Sequence, residues 1–230
     1  MTLWAVQLLV CSGVILLFLG SRALSARLGN PPWASPVLVA AAGVGGRLWL
    51  TGVPVREFEV AAAPLRLALL PAIVALGAVI HRGRRAIAAQ PRALLVAVTG
   101  GTVVGVASAI GLSHALGLEP LLVAGLTTKT LTTPFAVAVA TRVGGPVSLA
   151  AALAVLTGVI GALLVPPLLR AARVRGVAAT GIAIGQSAHL VGTDMLTRRD
   201  AGAATWSAVT MVLSGVFAAL VLPWLWPWLT

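Results

Sequence analysis

The stretch Thr127-Thr128-Lys129-Thr130-Leu131-Thr132-Thr133-Pro134 decides how this chain is read. It sets the only lysine of the sequence among five threonines and a proline, within a chain that is otherwise almost entirely lipid-soluble. A charge at bilayer depth is tolerated where it lines a cavity or finds partners, and unwound backbone at that depth obeys the same condition. Thr133-Pro134 has the form of a helix start, with threonine as N-cap and proline at N1, where no amide donor is lost. A half-helix beginning near mid-membrane is therefore predicted. Its unpaired amides and positive dipole end, the hydroxyls of Thr127, Thr128, Thr130 and Thr132, and the Lys129 ammonium together favour an anion. The competing reading has the threonines bonding back to helix carbonyls and Lys129 snorkelling to the interface. The distance of Lys129 from either end of the segment favours the site.

Composition sets the surroundings of that stretch. Of 230 residues, 59% are hydrophobic and 9% charged, and the mean hydropathy is +1.04, which describes an all-α polytopic membrane protein. A net charge of +11 does not indicate nucleic acid here, because the fifteen arginines sit in short loops between apolar runs. The first apolar run, Leu3 to Gly20, has no basic residue before it and Arg22 and Arg27 after it, the reverse of a secretory signal peptide. It is expected to stay as a helix with its N-terminus outside. Cys11, the single cysteine, lies within that run as packing filler.

Six spanning helices are read at about 3 to 20, 33 to 52, 64 to 80, 94 to 117, 147 to 169 and 205 to 226. Two further segments, Glu119 to Gly145 and Val174 to Arg199, are long enough to span but are interrupted by polar residues and by Thr-Pro or Gly-Thr breaks. The expected division is a four-helix scaffold over 1–117 and a transport-type core over 118–230, in which each broken segment is followed by a helix. If both segments are re-entrant hairpins, eleven arginines fall inside and four outside; if both cross, the split is nine against six. The positive-inside rule favours the hairpins.

A repeat points the same way. Val155-Leu156-Thr157-Gly158 through Pro166 matches Val212-Leu213-Ser214-Gly215 through Pro223, and each copy follows one broken segment. With hairpins, the two copies run in opposite directions, forming an inverted repeat of the kind found in secondary transporters. Resemblance by Ala/Val/Leu composition alone is the rival explanation, but it accounts less well for the aligned Thr/Ser-Gly and proline.

The second broken segment contains Gln186-Ser187-Ala188-His189-Leu190-Val191-Gly192-Thr193-Asp194. It is expected to break at Gly192-Thr193, with a second half-helix capped by Thr193 or Asp194. His189 can carry a proton near neutral pH, or can simply bond neighbouring helices. Asp194 can pair with Lys129 across the two breaks or serve only as a cap. His114 sits at the outer end of its helix and His81 in the basic inner loop, so neither receives a site role, and the seven tryptophans read as interfacial anchors. The Gly45-Gly46 and Gly100-Gly101 pairs, with Gly105, suggest close helix approach.

Lys129-Thr130-Leu131-Thr132-Thr133-Pro134-Phe135-Ala136, Gly144-Gly145, Leu156-Thr157-Gly158 and Ser187-Ala188-His189-Leu190-Val191-Gly192-Thr193 resemble, in order and spacing, the LrgB/CidB family. Asn30-Pro31, Leu50-Thr51-Gly52 and Leu70-Pro71-Ala72 extend the resemblance over nearly the whole chain. The resemblance implies one of two roles. Family members have been described as holin-like regulators of murein hydrolase export acting with a small LrgA-type partner, whereas related plastid proteins carry glycolate and glycerate and bacterial members are linked to pyruvate movement. This chain departs from the pattern after Gly192-Thr193, where Asp194-Met195-Leu196 replaces an Ala-Arg-Ala-like sequence, and near Gln186, where a threonine is replaced.

The expectation is a secondary transporter of small 2-hydroxy or 2-oxo monocarboxylates in the cell membrane, coupled to protons through His189. The holin-like role is the alternative. Substrate binding is assigned to Thr128, Lys129, Thr132, Thr133, Pro134, His189, Gly192, Thr193 and Asp194. No nucleophile with its base and orienter is identifiable, so an enzyme is not expected, nor a cofactor, metal or nucleic acid. The partners expected are the carboxylate, the lipid bilayer, an LrgA-like membrane protein and further copies of the chain.

Overall fold

The structure is a computed structural model that describes residues 2–229; Met1 and Thr230, the outermost residues of the two expected parts, lie outside the described residues. The described chain is helical, without strands. It divides into two compact units, Met1–Val74 and Ala75–Thr230.

In the first unit, α1 (Leu3–Arg27) is followed by a 3-10 turn at Pro32–Ala34, then α2 (Pro36–Thr51), α3 (Val55–Ala61) and α4 (Ala63–Leu67). α1 packs on α2, with Gly43 receiving the Leu17 side chain. A cavity of about 660 Å³ lies among α1, α2 and α3, lined by residues including Val10, Val14, Arg47 and Phe58. α5 (Leu69–Arg82) begins in this unit and ends in the second.

The second unit continues with α6 (Arg84–Ala89), α7 (Pro91–Ala115), α8 (Pro120–Leu126), α9 (Thr133–Val143), α10 (Val147–Ala171), α11 (Val177–Thr197) and α12 (Ala201–Leu229). α8 does not continue into α9. Residues 127–131 tighten into turns, Thr132 is extended, and α9 starts at Thr133 with Pro134 in its first turn. Beyond the left-handed cap at Gly144, a Cβ placed on Gly145 would lie 3.0 Å from the Ala124 carbonyl carbon. The far end of α9 thus returns to the middle of α8, and the segment is a hairpin with its tip at Thr128–Leu131.

α11 doubles back as well. His189 adopts φ 46° and ψ −130°, a conformation that L-residues rarely hold, and the helix axis breaks there. Gly181 and Gly185 lie against the Ala203 and Ser207 carbonyls before the break, and the Thr193 hydroxyl returns to Ser207 after it. Val177, at the first turn, already reaches Gly202, just beyond the second leg.

The two hairpins approach α10 from opposite ends. Gly125 in the first packs on Pro146 and Leu149 at the start of α10, whereas Met195 and Leu196 in the second cluster with Ala162, Val165 and Leu169 toward its end. Between them Gly158 touches Ala188 and Val191 beside the second tip. The register of the sequence repeat carries Pro120, the first residue of α8, onto Val177, the first residue of α11. Hairpin plus helix is therefore the repeated unit, and the two copies are inverted. Glycine and alanine at these contacts let backbones approach closely where lipid provides no hydrophobic drive for association.

Among the described residues, four helices are long and apolar enough to cross a bilayer: Leu3–Arg27, Pro91–Ala115, Val147–Ala171 and Ala201–Leu229. These coincide with four of the six expected spans. The expected span at 33 to 52 is the 16-residue α2, about 24 Å long, and that at 64 to 80 is divided between α4 and α5. The second break is also corrected, from Gly192-Thr193 to His189. Gly192 is not a turn residue: it sits so tightly against Ala188 and Ile184 that a Cβ would lie 2.5 Å from each side chain. Thr193 continues the second leg, its hydroxyl donating back to the His189 carbonyl as a mid-helix threonine does, so neither it nor Asp194 caps a new helix. In the first hairpin the N-cap is Thr132, one residue before the threonine expected, and its side chain makes no capping bond.

Candidate functional site

The hairpin tips meet beneath α7, whose Gly101, Thr102 and Gly105 form the surface that both tips touch. Lys129 Nζ donates to the Gly105 carbonyl at 3.4 Å, so the ammonium turns inward to a backbone acceptor on another helix. Gly105 has no side chain because Thr130 occupies the space, with its methyl 2.6 Å from where a Cβ would be. One turn earlier the amide of Gln186 fills the space beside Gly101. Gln186 Nε2 donates to Thr102 Oγ1 at 3.4 Å, and the Ser214 hydroxyl donates to Gln186 Oε1.

His189 is 3% exposed, and its ring lies near the Thr130 and Gln186 backbones and the Lys129 side chain. Neither ring nitrogen makes a well-aligned hydrogen bond, although the Thr130 and Gln186 backbones lie within reach of the ring, and the buried hydroxyls of Thr130 and Thr210 have no partner. Thr210 lies on the α12 face between Ser207, which binds Thr193, and Ser214, which binds Gln186. In the chain His189 lies between those same two hairpin residues, so Thr210 faces the second hairpin where its tip turns. Buried polar groups are almost always paired with protein or water, since leaving one unpaired costs about 1–3 kcal/mol. Several such groups beside an ammonium describe a place that a polar ligand or ordered water completes.

The residues expected from sequence divide into four groups. Lys129 and His189 are brought together at the tips. Thr128, Thr132, Thr133 and Pro134 flank them: the Thr128 hydroxyl donates to the Gly125 carbonyl at 2.8 Å, as Thr127 does to Ala124, while Thr132, Thr133 and Pro134 start α9. The first amides of such a helix have no intrahelical acceptor and remain available as donors. Gly192 and Thr193 lie in the second leg, where Thr193 shares a 2.7 Å hydrogen bond with Ser207 and ties the hairpin to α12. Asp194 faces away, exposed and paired with Arg198 at 3.1 Å. The sequence reading gave no site role to Gln186, Thr102, Ser214 or Thr210. The repeat could have found Gln186, because its register carries Lys129 onto that position. Among the described residues, no three His, Cys, Asp or Glu side chains converge as metal ligands would.

The model of the LrgB-like family matches residues 14–228. The chain is 26% identical to the uncharacterized protein YwbG of Bacillus subtilis, over 92% of this chain and 93% of that protein. It is 27% identical to YxaC of the same organism over 84% of each. A shorter stretch of 107 residues is 36% identical to the plastidal glycolate/glycerate translocator 1 of Arabidopsis thaliana, covering 46% of this chain and 21% of that one. No solved structure matches. The chain belongs to the LrgB-like family, and its long apolar helices make it a multi-pass membrane protein.

Proposed function

We propose that this LrgB-like protein is a secondary carrier of small 2-hydroxy or 2-oxo monocarboxylates of the glycolate, glycerate or pyruvate kind. The observation that carries the reading is the meeting of two inverted hairpin tips around Lys129, with the unpaired polar atoms of Thr130 and His189 beside it. Lys129 holds the carboxylate; the first-turn amides of α9, with Thr132 and Thr133, add hydrogen bonds from the positive end of the helix dipole. His189 faces the same space without a well-aligned partner on either nitrogen and, in this reading, carries the proton that accompanies the anion. Thr128, Pro134, Gly192 and Thr193 shape and hold the two tips. Sites at the interface of inverted repeats, between half-helix ends, suit alternating exposure to the two sides of a membrane. The arginine distribution supports residence in the cell membrane with the N-terminus outside.

The test is uptake of labelled glycolate and pyruvate into proteoliposomes containing the chain, with and without an inward proton gradient. Saturable uptake, enhanced by the gradient and lost in Lys129→Ala, is expected. Dye leakage without saturable carboxylate uptake would overturn the reading in favour of a holin-like role.

A further inference from the structure

The two repeats place unlike side chains at equivalent positions. Carried through the repeat register, Lys129 in the first tip corresponds to Gln186 in the second, and Thr157 of α10 corresponds to Ser214 of α12. The correspondence holds in space as well. Lys129 reaches α7 at Gly105 and Gln186 reaches it at Thr102, positions three residues apart and therefore neighbours on one helix face, roughly 5–6 Å from each other. Each tip also requires a glycine of α7 opposite it, Gly105 for Thr130 and Gly101 for Gln186. The site is thus a pseudo-symmetric pair of side chains, one a cation and one a neutral amide.

Gln186 is held but not saturated. Its Nε2 spends one of two hydrogens on Thr102 Oγ1, and its Oε1 accepts from Ser214 Oγ with a second lone pair left over. Those two bonds fix the amide plane, so the remaining donor and acceptor are presented in a set direction. A hydroxyl needs both, and a carbonyl needs the donor. A second carboxylate would meet a single N–H and no compensating charge, and would leave an anion buried beside a carbonyl oxygen.

We propose that Gln186 is the specificity-determining residue of this site: it reads the 2-hydroxy or 2-oxo oxygen of a substrate whose carboxylate is held by Lys129, and it limits the site to one carboxylate. This deepens the carrier reading and rests on it. Acetate lacks the oxygen that Gln186 reads, and malonate carries a second carboxylate in its place.

The experiment measures inhibition of labelled glycolate uptake in proteoliposomes by unlabelled glycolate, acetate and malonate, for wild type, Gln186→Met and Gln186→Lys. Thermal unfolding in detergent with each anion provides a second readout. Wild type is expected to favour glycolate over acetate by about tenfold or more, the value of one well-placed hydrogen bond of about 1.4 kcal/mol. Gln186→Met, which keeps length and volume, is expected to remain folded and lose that preference. Gln186→Lys is expected to be stabilised and inhibited more by malonate than by glycolate. A Gln186→Met protein that still transports with the wild-type glycolate-to-acetate ratio overturns the proposal, whatever becomes of the lysine variant. Failure of the wild type to take up or bind glycolate at all, with wild-type melting intact, sinks the carrier reading and this proposal with it. Uptake by wild type that Lys129→Ala abolishes, alongside unchanged selectivity in Gln186→Met, sinks the proposal alone.

Discussion

Gly158 and Gly215 hold the same place in the two repeats, and each faces the hairpin of the other: Gly158 lies against Ala188 and Val191, and Gly215 against the ring of Phe135. A Cβ on Gly215 would fall 2.2 Å from Phe135 Cδ2, a side-chain obstacle. Gly215→Ala is expected to destabilise the protein by about 1–3 kcal/mol, as overpacking does, and Phe135→Leu in the same chain to restore part of the loss. Gly161→Ala would instead meet the Ser187 carbonyl oxygen at 2.3 Å, where the obstacle is backbone. No side-chain substitution at Phe135 should rescue it. Melting temperatures of the four variants in detergent check both statements.

Lys129 donates to one backbone carbonyl, an acceptor that keeps the chain in place without neutralising its charge. Lys129→Met is therefore expected to fold, since the methionine fits the same apolar stem, and to lose carboxylate uptake by about 10- to 100-fold, the worth of a charged hydrogen bond. Lys129→Arg should retain part of the activity. Uptake at several substrate concentrations separates a loss of affinity from a loss of rate.

At His189 the backbone holds a positive φ that favours glycine and strains β-branched residues most. His189→Gly is expected to be more stable than His189→Val by about 1–3 kcal/mol, while neither transports in response to a proton gradient. Equal stability of the two variants would falsify the assignment of the hairpin turn to this residue.

Asp194 and Arg198 form an exposed pair one helical turn apart. Asp194→Asn is expected to leave stability within about 1 kcal/mol and uptake within about twofold of wild type, because solvent-exposed pairs contribute little. A substantial loss of uptake would place Asp194 in the site after all, and initial-rate measurements decide it.

Hydropathy was enough to read the class and the four long helices, because a run of twenty-odd apolar residues has few other fates. The first hairpin was legible because Thr-Pro is a favoured helix start, although proline alone does not choose between Thr132 and Thr133 as the cap. The second was misplaced by three residues for a physical reason. Gly192-Thr193 has the composition of a break, but the glycine is there for a close contact between the hairpin legs, and the turn falls on a histidine that composition would not suggest. Gln186 escaped because a lone amide in an apolar helix carries no local signal; its meaning lies in what stands opposite, at Thr102 and Ser214.

The exchange of hairpins between repeats bears on leakage. Each return loop is wedged against the crossing helix of the opposite half, Phe135 on α12 and the His189 turn on α10. In the proposed carrier, lifting one loop to admit solute from its own side would pull on the helix that supports its mirror image. Simultaneous opening to both sides would require both wedges to come loose at once, losing the close backbone contacts at Gly158, Gly161 and Gly215 together. Insulation of one compartment from the other in the proposed carrier thus follows from the connectivity of the chain, with no separate plug required.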